Sequence, residues 1–180
     1  MSDPVLRVQG WLDEAVIGLQ LCPFAQPVRS AGRIRFAVSE ARDGEVAVRD
    51  TLAEAVQLLD TPAEEVATTL VIVPHALQDF HGFLDALETL QSLLAEGGAD
   101  GVLQVATFHP DYLFAGEEPD AVSHFTNRAP HPIFHLLREA DVEEAVANHS
   151  DAAGIPAENM ARLEAMGRAA VLQKWQAFRQ

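Results

Sequence analysis

Three short β-rich runs, separated by stretches with helical periodicity, constrain this chain more than any other feature. Ile34-Arg35-Phe36-Ala37-Val38 alternates as a short strand. Thr69-Leu70-Val71-Ile72-Val73 is a continuous β-branched and apolar run, suited to a strand covered on both faces, and Val102 to Phe108 forms a third. Between the first two, Leu52, Val56 and Leu59 recur at helical spacing over residues 45–60, after an Asp43-Gly44 turn and before Thr61-Pro62. Between the second and third, Phe80, Leu84, Leu87, Leu90 and Leu94 mark the strongest helix of the chain, closed by Gly97-Gly98. Crossovers long enough to hold helices favour parallel neighbours. The pattern predicts one α/β domain over residues 1–180, with a small, mainly parallel β-α-β-α-β sheet flanked by helices. A ferredoxin-like antiparallel arrangement would need a further strand, and none is evident.

The flanking segments read as helix and loop. Val5, Val8, Leu12, Val16 and Leu19 predict an amphipathic helix over residues 4–20, with Pro4 in its first turn and Asp3 as N-cap. It must stop near Cys22-Pro23. Residues 109–130, rich in Pro, Asp and Asn, read as loop. A short helix is expected after Pro132, another from Val142 to Ala147, and a C-terminal helix from about Pro156 to Phe178.

Charge and cysteine usage narrow the partners. The formal net charge is −15, from 27 acidic and 12 basic residues, a field that repels phosphate backbones and anionic lipid surfaces. Nucleic acid and membrane partners are therefore disfavoured, although a local basic pocket can still hold one small anion. The apolar runs fall short of the roughly 20 residues a membrane span needs, and no basic-then-apolar leader pattern opens the sequence. Cys22 is the one cysteine, so no intramolecular disulfide forms. A reducing cytoplasm is the expected compartment.

In open parallel sheets, ligands bind beyond the carboxyl ends of the strands. That rule selects His75, just past the second strand, and His109, just past the third, followed by Asp111 and Tyr112. A second group lies in Thr126-Asn127-Arg128-Ala129-Pro130-His131-Pro132-Ile133-Phe134-His135. Pro132 suits a first helical position, whose free amides would attract an anion. Arg128 offers a planar fork for carboxylate or phosphate, Asn127 an amide donor, and His131 and His135 titratable groups nearby. The plainer structural account is a capped helix with Arg128 paired to a carboxylate. Cys22 is a candidate nucleophile, although a helix end disfavours a thiolate and a lone cysteine is a common core filler. His81, His124 and His149 read as surface or loop residues. Phosphate-loop, dinucleotide-binding, nucleophile-elbow and His-Glu-x-x-His signals are all missing.

Three segments also carry a resemblance. Leu21-Cys22-Pro23-Phe24-Ala25, Phe108-His109-Pro110-Asp111-Tyr112-Leu113-Phe114, and Thr126-Asn127-Arg128-Ala129-Pro130-His131-Pro132 continuing to His135-Leu136-Leu137-Arg138-Glu139, resemble an uncharacterised bacterial domain-of-unknown-function family of this length. The likeness covers nearly the whole chain and raises Cys22, His109, Asn127, Arg128 and His135 as site candidates, without bringing a reaction. Cys22-Pro23-Phe24-Ala25 also looks like the active-site tetrapeptide of monothiol glutaredoxins and some glutathione transferases. There the cysteine follows a strand and opens a helix; here it is expected to follow a helix and precede a loop.

The leading expectation is a small-molecule enzyme for a carboxylate- or phosphate-bearing substrate. Cys22, His109 and His135 would be catalytic, and Asn127, Arg128, Asp111 and Tyr112 would bind the substrate. No cofactor is assigned. One alternative is a transition-metal site using His109 and His135 with Asp111, Cys22 or His75. Another is a non-catalytic assembly protein, a homodimer joined through the helices at 77–96 and 156–178 with Trp175 and Phe178 as anchors.

Overall fold

The computed structural model describes residues 3–179. Its sheet has four strands, β1 (Ile34–Val38), β2 (Thr68–Ile72), β3 (Leu103–Phe108) and β4 (Ile133–Arg138), in the order β1-β2-β4-β3. β1 and β2 are parallel, and β4 pairs antiparallel with both β2 and β3. The first three strands therefore run the same way, as the crossovers require, and β4 runs against them in the gap between β2 and β3. The sheet is mixed, not the mainly parallel β-α-β-α-β arrangement that periodicity suggests.

β4 is the element that changes the topology, and it replaces the helix expected after Pro132. Ile133, Phe134 and Leu136 are each 0% exposed. Phe134 and Leu136 join the core on one face of the sheet, and Ile133 joins the core on the other. A strand buried on both faces shows no polar alternation, and a short apolar run cannot be told from a buried helix by periodicity alone. Pro132 tolerates the strand start because it has no N–H to place, while its carbonyl accepts from the Val73 amide at 2.9 Å.

Seven helices among the described residues cover both faces. α1 (Pro4–Trp11) starts with Pro4 in its first turn and the Asp3 carboxylate accepting from the Val5 amide, and it widens into a π-helical segment over Leu12–Ile17. α2 (Ala25–Ser30) is a short helix with no counterpart in the sequence expectation. α3 (Gly44–Asp60), capped by Asp43 through the Val46 amide at 2.8 Å, and α4 (Phe80–Glu96), capped by Asp79, pack on one face of the sheet. α5 (Glu139–Ala147) follows β4 directly. The expected C-terminal helix is two helices, α6 (Ile155–Met166) and α7 (Arg168–Phe178), broken where Gly167 adopts φ 80°. α1, α6 and α7 pack on the second face. Trp175 and Phe178, expected as dimer anchors, are 5% and 9% exposed and belong to this core. No helix of the described residues is long and apolar enough to cross a membrane.

Candidate functional site

The loop that follows β3 is built around buried imidazoles. His109 is 0% exposed and lies between Phe80 and Phe83, whose ring centroids are 5.2 and 5.1 Å away. Its Nδ1 accepts from the Asp111 amide at 3.0 Å, which places the ring proton on Nε2, and Nε2 donates to the Leu77 carbonyl at 3.0 Å. Leu77 has φ 57°, a left-handed conformation that costs a residue with a Cβ roughly 1 kcal/mol. Burial holds the His109 pKa below the ordinary histidine value, against the opposing pull of the Leu77 carbonyl and the Asp111 carboxylate. His124, also 0% exposed, repeats the arrangement: Nδ1 accepts from the Phe114 amide and Nε2 donates to the Glu118 carbonyl. Both rings have their two nitrogens committed to backbone, so each folds the loop between β3 and β4.

The other candidates from this segment share that scaffold. Asn127 donates from its side chain to the Thr107 carbonyl and accepts the His109 amide on its own carbonyl. Tyr112 packs against Phe80 and Phe114. Asp111 pairs with Arg179 at 2.9 Å. Arg128 lies across the Phe125 ring, and its Nε donates to the Tyr112 carbonyl.

His135 is on the opposite face of the sheet from His109. Its β4 neighbours Phe134 and Leu136 point into the α3–α4 core, so His135 points the other way, beside Phe108. Thr68 gives its only hydroxyl proton to the Leu136 carbonyl at 2.6 Å, so the 2.8 Å contact between Thr68 Oγ1 and His135 Nε2 has the imidazole as donor. Burial lowers the His135 pKa to about 4. His75 approaches Glu40 at 3.6 Å, and His131 keeps a buried Nε2 without a partner. His109 and His135 cannot share a ligand across the sheet. Among the described residues, no group of three His, Cys, Asp or Glu side chains is arranged to hold a metal ion.

Cys22 is elsewhere, in a cleft of about 320 Å³ that none of these histidines lines. The cleft brings Cys22 together with Gln26, His149, Glu158, Asn159 and Arg162. Leu21 and Cys22 return their amides to the Val16 carbonyl at the end of the π-helical segment, and Gln20 takes φ 55° to turn the chain. α6 fixes the turn from outside: Asn159 donates to the Leu21 carbonyl at 2.7 Å, and Arg162 donates to the Gln20 carbonyl at 3.0 Å and to Asn159 Oδ1 at 3.3 Å. Burial pushes the Cys22 thiol above its ordinary pKa, while the amides of Phe24 and Ala25, which point at the sulfur, pull it down. Cys22 thus does precede a helix, the short α2, as well as following one. His149 packs edge-on against Phe24 and accepts the Asp151 amide on Nδ1, which leaves Nε2–H as the ring's donor.

A family model described as "Protein of unknown function (DUF1415)" matches residues 4–173. The chain belongs to this family. The match runs from α1 into α7, so the loop after β3 and the Cys22 cleft both lie inside the DUF1415 span. No curated protein and no solved structure matches the chain. Sequence reading missed His149, Glu158, Asn159 and Arg162. The one available signal was the i, i+4 spacing of Glu158 and Arg162 around Asn159, which puts three polar groups on one side of α6.

Proposed function

We propose that this protein is a small-molecule enzyme, and that its cleft at Cys22 binds a substrate bearing a carboxylate or phosphate group. The observation that carries the reading is the convergence of one thiol with Arg162 and His149 in a single cleft, of a size near the lower end for small-ligand sites, roughly 300 Å³. Arg162 supplies the cation for the anionic group and His149 Nε2–H a further donor. Cys22 is the nucleophile of this reading, with the Phe24 and Ala25 amides stabilising the thiolate as it forms. His149 polarises and orients rather than deprotonates, since its Nδ1 is occupied by the Asp151 amide. His109 and His135 are structural in this reading, His109 holding loop backbone and His135 the Thr68 hydroxyl in the sheet. The reading places the protein in a reducing cytoplasm, where Cys22 stays a free thiol, with no nucleic-acid or membrane partner for a chain of net charge −15.

The test pairs thermal shift with alkylation of Cys22 by iodoacetamide, across a panel of small carboxylates and phosphates. A ligand of this cleft raises the melting temperature and slows alkylation together, and Arg162→Gln abolishes both effects. Failure of every member of the panel to protect Cys22 overturns the reading.

A homodimer is a second reading, through the α4 part of the expected surface and without the C-terminal helices. The groove between α3 and α4, about 520 Å³ and lined by Val48, Leu52, Leu77, Ala86 and Leu93, is the apolar feature that favours it. Concentration-independent monomer mass in light scattering would remove it.

A further inference from the structure

The half-buried guanidinium of Arg128 forms no ion pair among the described residues, in a chain with 27 acidic side chains. It is nevertheless held firmly. Its flat face lies on Phe125 with Cζ 4.4 Å from the ring centroid, its Nε donates to the Tyr112 carbonyl at 3.2 Å, and its own carbonyl accepts the Trp175 indole N–H at 2.7 Å. These contacts use the ring face, Nε and backbone. They leave the pair of terminal nitrogens, which grip an oxyanion edge in a two-point fork, without a hydrogen bond among the described residues.

The neighbouring charges deepen the imbalance. Asp111, whose carboxylate favours the Arg128 cation, is already committed to Arg179 at 2.9 Å. Arg168 is paired with Asp120, and both Arg168 and Arg179 act against the Arg128 charge, which burial already disfavours. Among the described residues, the group of Arg128, Arg179 and Asp111 carries a net charge of one positive unit. A partly desolvated guanidinium is ordinarily matched by an anion.

We propose that Arg128 and Arg179 form a second binding site, separate from the Cys22 cleft, for a small oxyanion that presents two oxygens on one edge. Phosphate and carboxylate groups share that chemistry. Arg128 supplies the fork, and Arg179, paired to Asp111 next to the Tyr112 carbonyl that Arg128 binds, the second positive charge. Neither arginine lines the Cys22 cleft, and Phe125, Trp175 and Tyr112 preset the geometry of Arg128 before any ligand arrives.

The experiment titrates inorganic phosphate and malonate against the full chain, by calorimetry and thermal shift, at constant ionic strength with chloride as the reference salt. Saturable binding by either anion is expected in the wild type and in Cys22→Ser. It should weaken roughly tenfold or more in Arg128→Gln, the loss of one charge-assisted bond, and measurably in Arg179→Gln. Arg128→Lys keeps charge but not the fork and should also weaken binding, so it and the exposed Arg179→Gln decide the matter if Arg128→Gln does not fold. Shifts no larger than those of chloride, or equal affinities in wild type and the folded arginine variants, overturn the proposal. Binding lost in Cys22→Ser but kept in the arginine variants also overturns it, and assigns the anion to the Cys22 cleft instead.

Discussion

Lowering the pH should cost this protein stability through one residue of its central sheet. His135 lies on β4 between Leu70 of β2 and Ala106 of β3, and its Nε2–H is donated to Thr68. Above pH 6.5 the ring is neutral in folded and unfolded chains alike. The unfolded chain takes up a proton near pH 6.5 and the folded chain only near 4. Stability is therefore full above pH 6.5, falls as pH drops through that window, and levels off below 4. At roughly 1.4 kcal/mol per pH unit the loss totals about 3 kcal/mol, of which about 2 kcal/mol has gone by pH 5. The measurement is a series of urea melts from pH 7.5 to 4.5, followed by the fluorescence of the buried Trp11 and Trp175. His109 and His131 also have depressed pKa values from burial, so the wild type is compared with His135→Gln, which keeps a donor for Thr68 and does not titrate. The variant starts less stable but should lose about 2 kcal/mol less between pH 7.5 and 5. Parallel curves for the two proteins would refute the assignment.

Four further outcomes follow from committed hydrogen bonds and from burial. His109→Leu takes the partner from the Leu77 carbonyl and the Asp111 amide at a part-buried site, at a cost of about 2–3 kcal/mol in urea melts. Elemental analysis of the same variant should show unchanged metal content, because both ring nitrogens of the native residue are already in use. Arg138 gathers the carbonyls of Leu58, Thr61 and Val66 on one nitrogen, tying the end of α3 to β4; Arg138→Met should cost about 3 kcal/mol. Without ligand, the alkylation rate of Cys22 should keep climbing through alkaline pH, as a thiol of raised pKa requires, and a plateau already reached at neutral pH would contradict the burial argument.

The parts of the fold that sequence patterns capture are those whose burial is one-sided or whose ends are chemically marked. α3 and α4 match their expected stretches because each presents one apolar face to the sheet and begins at an aspartate cap. β1, β2 and β3 fall where short apolar runs interrupt those helices, and their common direction follows from the crossovers. β4 fails for the opposite reason. Ile133, Phe134 and Leu136 are buried on two different faces, while Pro132 and the His131–His135 spacing both imitate a helix start. The missing strand then moves the candidate chemistry, since a helix there would have offered free amides to an anion and the strand spends its own on β2 and β3.

The same logic explains why the histidine-rich segment that stands out in the sequence is not where the Cys22 cleft lies. Residues 108–138 are rich in His, Asn, Arg and Asp because a long loop between two adjacent strands must satisfy many backbone groups away from water. His109, His124 and Asn127 do so by bonding main chain, and their side chains are thereby committed. The Cys22 cleft is assembled from three distant stretches, the turn at 20–26, His149, and one side of α6. Cys22 is legible in the sequence and its partners are not; the packing of α6 against the turn, fixed by Asn159 on the Leu21 carbonyl, brings Arg162 to the cleft that Cys22 and His149 also line. Asn159→Leu is therefore a sharper probe of the Cys22 site than any change in the histidine-rich loop. It removes a hydrogen bond at a position 7% exposed, frees the turn, and should speed Cys22 alkylation several-fold while costing about 1–3 kcal/mol of stability. An unchanged alkylation rate in a folded Asn159→Leu would mean that the turn holds the thiol without α6, and that Arg162 has no fixed place beside it.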